Sequence, residues 1–249
     1  MGERQRPERG HDVTAVPLGP ADAHERREEN SRHGRLAFRL RPPSTPFSRT
    51  GLSHLGDDAG ELALAYAPSA AVQRPTRLAL VLHGAGGSPR HGLDLLLPVA
   101  EKYGLLLLAP KSRHATWDVI TGGYGPDLRR IDRLLDELTG AYPVAGMTVA
   151  GFSDGASYAL SLGIGNGDLF DSVVAFSPGF AAPLVKHGRP RVFVSHGIRG
   201  EVLPIDVCSR RLVPRLEHDG YSVSYEEFDG GHVVPPSVVD RAVGWLKDR

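Results

Sequence analysis

Short, nearly unbroken apolar runs recur along this chain at residues 62–67, 78–82, 105–109, 147–151, 173–176, 192–195 and 223–228. A strand wetted on one face alternates apolar with polar residues, so a run with no polar face has to be covered on both sides. Helical patterns lie between the runs. Ile131, Leu134, Leu135 and Leu138 share one helical face, with Pro126 suited to a first turn. Leu212 and Leu216 continue a face begun by Cys208, and Val238, Val239, Ala242, Val243 and Leu246 form a last amphipathic helix. The alternation predicts an α/β fold, a mostly parallel central sheet with helices on both faces. Ligands of such sheets bind beyond the carboxyl ends of the strands. Residues that directly follow a strand therefore carry the chemical interest.

A length of 249 residues suits one domain of ordinary size. Residues 1–34 are rich in Arg, Glu, His and Pro and nearly free of large apolar side chains, which predicts a disordered or loosely attached tail. Residues 35–60 read as an irregular N-terminal arm or an edge hairpin, and 61–249 as the folded domain. Lys and Arg number 29, as do Asp and Glu, so the formal net charge is zero and exerts no global pull on nucleic acid or an anionic membrane. No apolar stretch approaches the roughly twenty residues of a membrane-spanning helix, and the N-terminus has no apolar secretory segment. The single cysteine, Cys208, excludes an intrachain disulfide and fits a reducing compartment. The expectation is a soluble cytoplasmic protein with no stable membrane anchor and no nucleic-acid partner. Oligomeric state is left open.

The run at 147–151 leads into Gly151-Phe152-Ser153-Asp154-Gly155, followed by the helix-friendly Ala156-Ser157-Tyr158-Ala159-Leu160. A serine at a sharp strand-to-helix turn exposes its hydroxyl, and side chains at the flanking positions would collide, which is what Gly151 and Gly155 avoid. The following helix aims its first N–H groups at a developing anion. Gly-x-Ser-x-Gly alone also occurs in ordinary turns; the strand before and helix after select a nucleophile elbow. After the run at 78–82 comes His83-Gly84-Ala85-Gly86-Gly87-Ser88. Its small residues let backbone N–H groups approach a ligand. Ala85 and Gly86, with the N–H of Asp154, are candidates for an oxyanion hole. The rival reading, a phosphate loop, lacks the third glycine of a dinucleotide fingerprint and any Gly-Lys-Ser/Thr.

His232 follows the last strand in Asp229-Gly230-Gly231-His232, where it can reach the sheet end and take a proton from Ser153. His196 also follows a strand and reads as a pocket or structural histidine. An acid is expected between serine and histidine in chain order. Trp117, after the run at 105–109, reads either as a wall of the substrate pocket or as a rim aromatic. Asp127 reads as a helix-terminus charge. No close His/Cys/Asp/Glu cluster suggests a metal.

These segments resemble the alpha/beta-hydrolase superfamily, and within it the phospholipase/carboxylesterase branch of small bacterial serine esterases. The resemblance covers about residues 60–249. It rests on His83-Gly84-Ala85-Gly86-Gly87, Thr116-Trp117-Asp118, Gly151–Ala156, the loop from Ser195 to Asp206, and Phe228-Asp229-Gly230-Gly231-His232. It implies an alpha/beta-hydrolase fold and hydrolysis of a small-molecule ester through an acyl-enzyme, with no cofactor. Ser153 is then the nucleophile and His232 the base. The branch carries its triad aspartate in His-Gly-x-x-Asp before Val-Leu-Pro. This chain has Gly200 there. Glu201 is the leading substitute acid, Asp206 the second. An absent acid would favour a weakened enzyme or a non-catalytic binding protein on the same fold.

Overall fold

The computed structural model describes residues 20–44, 49–57 and 60–248. Every apolar run expected to be a strand is one. Strands β1 (Gly51–Asp57), β2 (Gly60–Ala67), β3 (Thr76–Leu82), β4 (Leu105–Pro110), β5 (Val144–Phe152), β6 (Ser172–Phe176), β7 (Arg191–Gly197) and β8 (Val223–Phe228) form one sheet in the order β1-β2-β4-β3-β5-β6-β7-β8. The β1–β2 and β2–β4 pairings are antiparallel and the others parallel. The arm at 35–60 thus ends in an edge hairpin, while residues 35–44 stay irregular.

Both faces of the sheet are covered, which accounts for the unbroken apolar runs. In β4, Leu106 and Leu108 pack into one core with helices α5 (Pro126–Ala141), α6 (Asp154–Gly165) and α7 (Ser209–His218). Leu105, Leu107 and Ala109 point the other way, to a core with α2 (Pro89–Asp94), α3 (Leu97–Tyr103) and α8 (Pro236–Lys247). The predicted face of α5 (Ile131, Leu134, Leu135, Leu138) is buried in the first core. Cys208 is buried immediately before α7 rather than inside it. Residues of α8 are buried as read from their spacing.

The expected tail boundary at residue 34 needs correction. Residues 1–19 lie outside the described residues, but Pro20–Arg32 form a helix, α1. It docks through charge rather than through apolar area. Arg27 pairs with Asp132 at 2.8 Å and also with Asp136, both on α5. Buried Asp132 additionally accepts the Phe38 N–H at 2.6 Å. Downstream, Asn166 accepts the Leu36 N–H at 2.8 Å and donates to the carbonyls of Gly34 and Leu162, each at 2.9 Å. These bonds seat Leu36 and Phe38 in the first core. A composition reading misses this because the partners lie about a hundred residues away in sequence. Removing residues through 34 strips a buried carboxylate and a buried amide of partners, at about 2–3 kcal/mol together. A chain starting at residue 35 is expected to melt at least about 5 °C below one starting at residue 20, measured by circular dichroism. Equal midpoints would show that α1 contributes nothing.

Candidate active site

The elbow expected at Ser153 forms at the junction of β5 and α6. Ser153 has φ 57° and ψ −120°, a left-handed backbone that a side-chain-bearing residue rarely adopts. Its surroundings enforce it. A Cβ on Gly151 would run into the carbonyl of Gly155, and one on Gly155 into the carbonyls of Leu82 and His83 at the end of β3. The backbone N–H of Ser153 is tied to the Phe176 carbonyl of β6 at 2.9 Å. The hydroxyl is thereby held at the carboxyl end of the sheet, one residue before the first turn of α6.

His232 reaches over from the loop after β8, and its Nε2 lies 2.9 Å from Ser153 Oγ. The Phe152 ring backs the imidazole, with centroids 4.7 Å apart. Burial, and next the proximity of His196, push the His232 pKa below its ordinary 6.5, while Asp154 pulls the other way. The sequence thus named two side chains, 79 positions apart, that the fold brings into hydrogen-bond contact.

The loop after β3 stands beside Ser153: a Cβ on Gly84 would lie 3.4 Å from Ser153 Cβ. Ala85 and Gly86 are exposed in it. Gly86 has φ 66° and gives its N–H to the Ala115 carbonyl at 2.6 Å, so it shapes the turn rather than offering a donor. His83 pins the base of the loop. Its Nδ1–H donates to Gly84 O at 2.7 Å and its Nε2 accepts the Ser112 N–H at 3.2 Å. Burial lowers its pKa and favours this neutral form.

Trp117 is neither pocket wall nor rim. It is fully buried at 0% exposure, stacked on Tyr158 with centroids 5.2 Å apart, and its indole N–H donates to the His83 carbonyl at 2.8 Å. Its neighbours brace as well. Thr116 donates to the Asp154 carboxylate at 2.6 Å. Asp118 accepts the N–H groups of Gly125 and Asp127, at 2.9 and 3.0 Å, and Asp127 returns the favour to the Asp118 N–H at 3.0 Å. Thr116-Trp117-Asp118 is a scaffold for the elbow and the loop after β3. Asp127 does more than complement a helix end, since it also accepts the Arg113 N–H at 2.7 Å.

Neither candidate substitute acid bonds to His232. Glu201 is exposed and makes no bond to His232. Asp206 is exposed and paired with Arg210 at 2.7 Å. His232 Nδ1 is buried with no hydrogen-bond partner. The cause lies in the loop after β7. Ile198 N–H bonds to Phe228 O (3.0 Å), Arg199 N–H to Gly230 O (2.9 Å) and Gly200 N–H to Gly197 O (3.2 Å). Buried His196 accepts from Ser209 Oγ at 2.7 Å and donates to the Leu203 carbonyl at 2.8 Å. His196 is therefore a structural histidine. These ties fix Gly200 beside His232 and turn Glu201 outward. Among the described residues, no group of three or more His, Cys, Asp or Glu side chains could hold a metal ion.

No protein-family model matches this chain, and no curated protein matches it in sequence. Solved structures do. The substrate-bound fluorophosphonate-binding serine hydrolase F of Staphylococcus aureus superposes with a TM-score of 0.65 at 13% identity, covering 80% of this chain and 98% of that one. Esterase PE8 gives 0.62 at 22% identity, covering 80% and 99%. The chain has the alpha/beta-hydrolase fold. An S-formylglutathione hydrolase from Agrobacterium tumefaciens shares it, with a TM-score of 0.62, 14% identity and coverage of 82% and 98%. In this fold Ser153, His232 and the Ala85 loop follow β5, β8 and β3 and so lie together at the carboxyl end of the sheet, where such sheets bind ligands. No helix among the described residues is long and apolar enough to cross a membrane.

His232 has to be neutral to accept a proton. A depressed pKa keeps it neutral further into acid. The acid limb of kcat/KM for ester hydrolysis is therefore expected to have its midpoint below 6.5, as read from a pH–rate profile. A midpoint above 6.5 would mean that an anion holds the imidazolium.

Proposed function

We propose that this protein is a serine carboxylester hydrolase acting on soluble or short-chain esters. The observation that carries the reading is the 2.9 Å contact between His232 Nε2 and the hydroxyl of a Ser153 held in a strained backbone. Strain of this kind costs of order 1–3 kcal/mol and persists where surroundings over-determine it. Ser153 Oγ attacks the ester carbonyl while His232 Nε2 takes its proton. The backbone N–H of Ala85, on a loop that Gly86, His83 and Trp117 hold in place, and that of Asp154, at the start of α6, bind the tetrahedral oxyanion. The imidazolium then protonates the leaving alcohol. Water, activated by the same histidine, releases the acid and frees Ser153. The chemistry needs no cofactor.

Apolar side chains surround this end of the sheet. Phe180 after β6, Ile198 and Val202 after β7, and Val233 after β8 are all exposed. They support an ester with an apolar acyl or alcohol group. A cytoplasmic setting belongs to the same reading and draws on the single cysteine.

The reading is tested by treating the protein with a fluorophosphonate and mapping the adduct by mass spectrometry. Ser153 is expected to carry it, and Ser153→Ala to lose both labelling and hydrolysis by at least about a thousandfold. Labelling elsewhere would overturn the assignment.

The unpartnered Nδ1 of His232 also supports a second reading, a catalytically weakened or binding protein. The two are separated at Gly200. A Cβ there would stand 3.8 Å from the His232 backbone nitrogen and 3.4 Å from the Gly197 carbonyl, both ordinary contacts. On this reading, which draws on the position of Gly200 in the loop after β7, a carboxylate on that Cβ accepts from Nδ1 and stabilises the imidazolium. Gly200→Asp is expected to raise kcat by about 10- to 100-fold, roughly 1.4–2.7 kcal/mol of barrier, and to move the acid limb to higher pH. An unchanged rate in a folded variant would show that the site already has what it needs.

A further inference from the structure

We propose that Gly197 and His196, at the end of β7, are positioning residues for His232: together they fix the turn that aims its imidazole at Ser153. The inference rests on the serine-hydrolase reading and names what orients its base.

His232 sits at the centre of a three-residue turn, closed by the Val233 N–H on the Gly231 carbonyl at 3.0 Å. That same carbonyl lies against Gly197. A Cβ on Gly197 would run into it and would stand 2.6 Å from the carbonyl of Gly230. Gly197 does not take a left-handed backbone, so it is the close approach that excludes a side chain here. The chain after β8 thus crosses the end of β7 backbone on backbone. Two bonds hold it there, from the Ile198 N–H to Phe228 O at 3.0 Å and from the Arg199 N–H to Gly230 O at 2.9 Å. All three contacts fall on the residues that lead into His232. No side chain bonds its Nδ1, and the Phe152 ring backs the imidazole, so the direction of the ring follows from this backbone and that stack.

His196 holds the other half of the contact. Its buried ring donates to the Leu203 carbonyl at 2.8 Å through Nε2 and accepts from Ser209 Oγ at 2.7 Å through Nδ1. One side chain therefore ties the two ends of the loop from 197 to 203 to each other and to the start of α7. Ile198 and Arg199, whose N–H groups hold the His232 turn, lie inside this closed loop. Contact runs from α7 through His196 to residues 197–199, and from there through Gly231 to His232. The geometry at the far end leaves little slack. Proton transfer needs a heavy-atom separation of about 2.6–3.2 Å. The Nε2–Oγ distance of 2.9 Å lies inside that window. A shift of about 1 Å in the turn takes it outside, and a misplacement of that size costs about 100-fold in rate.

The test compares the full chain with Gly197→Ala, His196→Leu and His196→Gln. Circular dichroism establishes that each is folded, and kinetics are run well below its melting midpoint. Chromogenic ester hydrolysis gives kcat and KM, and the His232 imidazole is titrated by NMR. Gly197→Ala is expected to lower kcat about 100-fold while KM changes less than about threefold. It is also expected to move the His232 titration up toward 6.5, since a displaced ring loses burial. His196→Leu is expected to lower kcat in the same way. Glutamine keeps an N–H donor for the Leu203 carbonyl, so His196→Gln is expected to turn over at least about tenfold faster than His196→Leu. A merely structural role lowers the melting midpoint and leaves kcat and the titration of the folded variant as in the wild type. That result in Gly197→Ala overturns the proposal. If Gly197→Ala does not fold, the His196 pair decides: recovery in glutamine supports the proposal, and equal rates in the two variants overturn it. Absence of fluorophosphonate labelling at Ser153 in the wild type instead overturns the hydrolase reading, and the His232 titration in the variants then decides the positioning.

Discussion

Backbone touches backbone where β5 turns into α6, and the rest of the site is arranged around that contact. Gly151 stands against the Gly155 carbonyl, and Gly155 against the last carbonyls of β3. No side chain fits at either position. The helix can start only this close to the strand if the residue between takes a left-handed backbone, and that residue is Ser153. The same contact brings the end of β3, and so the loop carrying Ala85, within van der Waals reach of Ser153. A substitution at Gly155 would separate two strands and a helix together, and would move Ser153 away from the loop after β3.

Around this junction the protein spends buried polar groups on rigidity. Trp117 bonds to the His83 carbonyl, Thr116 to Asp154, and the paired Asp118 and Asp127 hold the loop that carries both. Burial raises the pKa of each of these aspartates, with their mutual repulsion adding to that of Asp127. They are kept in place by four backbone N–H donors between them. On the far side, His196 does the same for the loop after β7. The Ser153–His232 contact is thus clamped from two sides by buried polar groups.

Several of these roles were legible in the sequence and several were not. Strands were legible because burial on both faces leaves an unbroken apolar run. The elbow was legible because its steric demand removes two side chains four positions apart. His232 was legible from its place after the last strand. Trp117 was misread, since an aromatic in a loop near a sheet end looks the same in sequence whether it faces a ligand or fills the space beneath one. The first helix was misread because its attachments, Asp132 and Asn166, belong to distant elements. The likeliest acid by adjacency, Glu201, was misread because adjacency says nothing about direction: the turn closed by Gly200 on Gly197 sends the next side chain outward.

The sequence by itself determined the alternation of strands and helices, the tight strand-to-helix turn at Ser153 and the histidine that follows the last strand, because each is written in local spacing and residue size. The tertiary structure alone decided which groups meet. It placed His232 Nε2 on Ser153, spent the Gly86 N–H on Ala115, buried Trp117, and left Nδ1 of His232 without a carboxylate. These outcomes depend on directions and distances between segments far apart in the chain. They are fixed by how the two cores close over the sheet, a property no local window of residues contains.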